Sequence, residues 1–183
     1  LTLAESLNEL AIDRFENERY DEAADLFARG ADLLEIELSP DHPFLLTMRG
    51  NAASTLSQLG RHADAAAKLR QLLVAHVRIF GEGDASVANL RANLATALAF
   101  AGQHAEAREE YVSAIDALEA LFDGPHPILA LHRWNLGRVE ELLGDWEASR
   151  VQFASALDVF DRTSSADDPK RSWYLAGGIS PAD

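Results

Sequence analysis

The stretch Asn93-Leu94-Ala95-Thr96-Ala97-Leu98-Ala99-Phe100-Ala101-Gly102-Gln103-His104-Ala105-Glu106-Ala107 reads as the end of one amphipathic helix, a glycine turn and the start of a second helix. Its parts recur at a fixed distance. Asn51-Ala52-Ala53 lies 42 residues before Asn93, and Asn135-Leu136-Gly137 lies 42 residues after it. Nine residues past each asparagine stands a glycine: Gly60, Gly102 and Gly144. Glu18 holds that place, and Glu9 the asparagine's place, in an atypical first copy.

Other columns keep the same period. Small residues form the columns Ala11, Ala53, Ala95, Gly137 and Ala23, Ala65, Ala107, Ser149, and a third in Gly30, Ala114 and Ala156, where Leu72 departs. Phe27, Leu69, Tyr111 and Phe153 form a large column, and Tyr20, His62, His104 and Trp146 a column of rings expected to pack. Two antiparallel helices approach closely only where side chains shrink, and the large residue fills the gap one turn away. In the second copy the two helical patterns cover 45–59 and 63–80, with Gly60 between them. Pro43, Pro127 and Pro169 suit a first helical turn, and Asp84 and Asp168 suit N-caps in the column shared by His42 and His126. The fold predicted is all-α, a right-handed superhelical solenoid of helix-turn-helix repeats. Each repeat buries its faces only by stacking on its neighbours.

The bulk numbers agree. The chain has 183 residues, with 48% apolar, 25% charged and only 8% aromatic residues. The net charge of -14 disfavours nucleic acid and acidic lipid surfaces. With no cysteine, disulfides and thiolate chemistry are excluded. No run of about 18 apolar residues exists, so no membrane span is expected. The first residue is Leu1 rather than Met, which suggests a trimmed or excised piece. A cytoplasmic protein without cofactor is expected.

Chemistry-bearing motifs are missing: no phosphate loop, no HExxH pair, no nucleophile elbow. The six histidines read as caps, packing groups or core residues rather than metal ligands, and Glu109-Glu110 and Glu140-Glu141 read as solvated helix faces. Neither a catalytic nor a metal site is predicted. Arg49, Arg91 and Arg133 form one more column two residues before the asparagines, about 200° around the helix from them. They are expected to pack their stems between helices and pair with neighbouring carboxylates.

The phrases Asp41-His42-Pro43, Asn93-Leu94-Ala95 and Gly102-Gln103-His104-Ala105-Glu106-Ala107 resemble tetratricopeptide repeats (TPRs). The 42-residue spacing is similar to the longer variety in kinesin light chains and many bacterial signalling proteins. The resemblance implies a four-repeat array over 1–169, with repeats of about 1–42, 43–84, 85–126 and 127–168, and a capping segment or tail over 170–183. In that tail Trp173 and Tyr174 are expected to cover the last repeat. It also implies a scaffold that binds a peptide segment of a partner in a concave groove lined by the first helix of each repeat. A sensory or regulatory array of a larger signalling protein, of ATPase or kinase type, is the alternative. The groove residues implied are Asn51, Asn93, Asn135, Asn89, Thr96, Phe100, Trp134 and Arg138, with the column asparagines gripping the peptide main chain. An amide donates and accepts at once, as a peptide backbone does. The partner expected is a protein or peptide, and self-association stays open.

Overall fold

The computed structural model describes residues 2–165 and 168–175, apart from the side chain of Trp173. Nine helices follow one another in the described residues, with no strand among them: α1 Thr2–Glu16, α2 Tyr20–Glu37, α3 Pro43–Gln58, α4 His62–Phe80, α5 Ala85–Phe100, α6 His104–Leu121, α7 Pro127–Leu143, α8 Trp146–Thr163 and the short α9 Lys170–Leu175. The described residues form two compact units, which divide between Ile79 and Phe80. In the first unit α1 packs on α2 and α2 on α3; in the second, each of α5 to α8 packs on the next.

The boundary column begins the first helices. The ring Nδ1 of His42 accepts from the Phe44 N–H at 3.2 Å, and that of His126 from the Ile128 N–H at 3.3 Å. A carboxylate oxygen of Asp84 accepts from the Ser86 N–H at 2.8 Å, and one of Asp168 from the Lys170 N–H at 2.9 Å. Each satisfies an N–H that has no partner within its own helix.

The glycine column ends the first helices. Gly60, Gly102 and Gly144 have φ of 71°, 79° and 81°, in the left-handed region that a side chain makes costly. Glu18 adopts φ 59° at the equivalent place, the one non-glycine at positive φ among the described residues. The first turn therefore carries a strain that the other three avoid. Glu18→Gly is expected to raise stability by about 1 kcal/mol, near the low end of the left-handed penalty for a residue with a Cβ. Denaturant unfolding of the two proteins checks it; an unchanged midpoint would show that the turn is relaxed.

The small columns are buried as their spacing requires. Ala11, Ala53, Ala95, Ala23, Ala65, Ala107, Ala114 and Ala156 are all 0% exposed. Gly137 brings α7 so near α8 that a Cβ there would sit 2.7 Å from the Phe153 ring. In the first unit, Gly30 leaves the space that the Met48 thioether fills. The ring column behaves differently from expectation: Trp146 is 64% exposed, because it opens α8 at the surface of the turn rather than facing a neighbouring helix. At the end of the described chain, Tyr174 is buried against Phe160 with ring centroids 4.6 Å apart, and Arg171 holds Asp161 through two bonds of 2.7 and 2.9 Å. The Trp173 side chain and residues 176–183 lie outside the described residues.

Candidate functional site

In the first unit, Asn51 lies half-buried on α3. The other seven candidates lie in the second unit: Asn89, Asn93, Thr96 and Phe100 on α5, and Trp134, Asn135 and Arg138 on α7. Asn93 is exposed, and Phe100 is 70% exposed at the end of α5. Asn89 is half-buried, and its side-chain oxygen makes no hydrogen bond within the protein. Arg138 meets Glu141 at 2.9 Å on its own helix.

Thr96, Asn135 and Trp134 are engaged from behind. The Tyr111 hydroxyl on α6 lies 2.7 Å from the Thr96 hydroxyl and is also hydrogen-bonded by the Asn135 side chain. Thr96 in turn donates to the Ala92 carbonyl at 2.9 Å. The relay that satisfies each group runs from the Asn135 amide to the Tyr111 hydroxyl, from there to Thr96, and on to Ala92. It ties α5, α6 and α7 together. Burial pushes the Tyr111 phenol up to about 12, against the opposing pull of its two hydrogen bonds, so the hydroxyl stays protonated. Sequence reading treated position 111 only as a large residue. The signal it passed over was a tyrosine where the other copies carry Phe27, Leu69 and Phe153. Trp134 packs its ring 6.2 Å from that of Phe153.

The arginine column pairs as expected. Arg49 reaches Glu35 of α2 at 2.7 Å, and Arg133 pairs with Glu119 of α6 and bonds Gln152 of α8 at 3.2 Å. Position 77 carries valine where positions 35 and 119 carry glutamate, and Arg91 takes its carboxylates from Glu82 and from Glu110 of α6, the latter at 2.9 Å.

Two ionisable groups sit deeper than their sequence context suggested. His132 is 7% exposed, in the column of Met48 and Leu90, and neither ring nitrogen has a hydrogen-bond partner in the protein. Burial lowers its pKa to about 4, so it is neutral at pH 7. Glu140, 6% exposed, occupies the column of Leu56 and Leu98 rather than the solvated face expected for it. Its pKa is raised, first by burial and then by Asp145, against the pull of Arg108, 3.9 Å away. These two groups share no third ligand: among the described residues no cluster of three or more His, Asp or Glu side chains could hold a metal ion. No helix of the described residues is long and apolar enough to cross a membrane.

The tetratricopeptide repeat family matches residues 2–73 and 84–162. The chain belongs to that family. Tetratricopeptide repeats commonly serve as protein-interaction scaffolds and are typically non-catalytic. Solved structures share the TPR fold at low identity. A Podosopora anserina protein of nearly identical TPR-like repeats, described as a kinesin light chain, is 20% identical with a TM-score of 0.82, over 95% of this chain and 82% of that one. BtubC (BKLC) from P. vanneervenii is 21% identical with a TM-score of 0.80, over 86% of this chain and 63% of that one. The apo form of RapI is 12% identical with a TM-score of 0.77, over 88% and 57% of the respective chains. No curated protein matches the chain significantly.

Proposed function

We propose that this TPR protein is a non-catalytic scaffold that holds a peptide segment of a partner protein on the first-helix face of its repeats. The observation that carries the reading is Asn93. Its side chain is exposed on α5, seven residues before the exposed Phe100 ring, while Asn135 at the matching place on α7 is occupied by Tyr111. Asn93 can grip a peptide backbone, Phe100 can anchor an apolar side chain, and Arg138 and Asn89 flank them. Asn51 offers the same amide on α3 of the first unit. Thr96, Asn135 and Trp134 shape this face from within. Four repeats with boundaries near 42, 84, 126 and 168, followed by a capping segment, belong to the same reading, supported by the caps at His42, Asp84, His126 and Asp168. So do a cytoplasmic place and independence from cofactors, and independence from nucleic acid and acidic membrane surfaces, which the charge of -14 favours.

Asn93→Ala is expected to weaken binding by about 0.5–1.5 kcal/mol, with unfolding unchanged, because its removal orphans no buried group. Asn135→Ala is expected to lower stability by about 1 kcal/mol, because the buried Tyr111 hydroxyl loses a partner. Titration of both variants against a partner peptide mapped from a pull-down, with unfolding curves on the same samples, checks the pair. Equal affinity for Asn93→Ala and wild type rejects the groove.

A further inference from the structure

The first unit contains a cleft of about 810 Å³ between α2 and α4, floored by α3. That is a volume typical of built binding sites. Arg49, Ala52 and Leu56 of α3 and its C-cap Leu59 line it, turned about 80–160° around that helix from Asn51. The cleft is therefore distinct from the peptide face above and is argued independently of it. Five alanines open it: Ala24, Ala28, Ala31, Ala52 and Ala67. Two repeats later in the sequence, the equivalent positions carry Arg108, Val112, Ile115, Leu136 and Val151.

The α2 wall is acidic, while the α4 wall is mixed, with Arg61, Asp64 and Lys68. Asp21, Asp25, Asp32 and Glu35 form one stripe of α2 over 15 residues, with its ends roughly 21 Å apart at the helical rise of 1.5 Å per residue. Facing them stand Arg61 and Lys68. Lys68 takes the place that Glu110 and Gln152 hold in later repeats, where those residues accept from the arginine column. Glu35 is paired with Arg49, Asp25 with Arg29 and Arg61 with Asp64. Asp21, Asp32 and Lys68 have no ion pair among the described residues.

We propose that this cleft docks an amphipathic helix of a partner protein, with lysines or arginines on the flank that meets α2 and a carboxylate on the flank that meets Lys68. The alanines let the backbone of such a helix approach closely, and Leu59, with the edges of the buried Leu56 and Leu72, supplies apolar contact for its ridge. The spacing of the α2 carboxylates sets the pattern of the partner's cations: positions 1, 5, 12 and 15 of a four-turn helix. The acidic surface of the chain favours a basic partner on approach.

The probe is a synthetic alanine- and leucine-based 16-residue helix with lysines at those four positions and glutamates on the opposite flank. A control peptide carries glutamates in place of the lysines. Fluorescence anisotropy with the full chain is expected to show binding of the lysine helix and at least tenfold weaker binding of the control. Ala28→Val with Ala67→Val, the residues found at 112 and 151, fills the cleft and is expected to weaken binding at least tenfold. Asp21→Asn with Asp32→Asn is expected to weaken it about threefold at low salt, with the difference vanishing at high salt. Asn93→Ala is expected to leave it unchanged, which separates failure of this site from failure of the peptide face. Equal binding of the two peptides, or full binding by the filled variant at an unchanged melting temperature, overturns the proposal. If the filled variant unfolds, the charge variant decides, and an affinity equal to wild type at low salt overturns it. A concentration-dependent dimer that the filled variant abolishes also overturns it, since the occupant is then a second copy.

Discussion

Lowering the pH from 7.5 toward 4 is expected to cost the protein about 3 kcal/mol of stability through one side chain, His132. Its folded pKa of about 4 lies below the ordinary value of 6.5 because the ring is buried without a hydrogen-bond partner. The unfolded chain therefore binds a proton that the folded chain refuses. The stabilising difference is fully present above about pH 6.5 and is lost as the pH falls toward 4. At about 1.4 kcal/mol per unit, a gap of roughly 2.5 units gives the stated magnitude. Glu140 works in the opposite sense: its raised pKa means that the folded state takes up its proton more readily, so acid relieves a cost there. The two are separated by His132→Leu, which places at 132 the residue that stands at 90. This variant keeps Glu140 and loses the histidine-linked slope. Urea unfolding of both proteins at pH 7.5 and 4.5 reads the difference. Parallel losses in wild type and variant would show that His132 is not the source.

Ala107→Leu is expected to destabilise the second unit by about 1–3 kcal/mol through overpacking. Ala107 is 0% exposed near the start of α6, in the column of Ala23, Ala65 and Ser149, and these are equally buried. A leucine there has no vacant volume to enter, so the helices must part or the new side chain must leave its rotamer. The same change at Ala105, exposed on the same helix, is expected to have little effect. Thermal unfolding of the two variants side by side tests whether the column marks a close contact.

Much of this was legible because repetition turns one ambiguous residue into four observations. Gly60, Gly102 and Gly144 located the turns. His42, Asp84, His126 and Asp168 located the helix starts, although two different side chains do the capping. The arginine column announced its carboxylates because an arginine two residues from the asparagines had to face the neighbouring helices. What escaped were departures from the columns. The resemblance places Thr96 and Asn135 on the groove face, and their columns say nothing of a bond from behind. Only the extra oxygen of Tyr111 draws them inward. Trp146 looked like a packing ring because its column held rings, yet it is 64% exposed. His132 and Glu140 occupy columns of Met and Leu, and a period of 42 reports the position of a side chain, not the price of burying its charge. The alanines that open the cleft in the first unit are ordinary helix formers, and only comparison with their bulkier counterparts shows that volume has been removed.

The pairs Arg49–Glu35 and Arg133–Glu119 each join the second helix of one repeat to the first helix of the next. In a linear array, stability divides into what each repeat contributes and what each joint contributes. These pairs belong to the joints. Mobile ions weaken them while leaving the alanine and leucine contacts inside each hairpin almost untouched. Ionic strength thus trims each joint by under about 1 kcal/mol, a small change beside the apolar contacts, such as Met48 against Gly30, that hold the same joint.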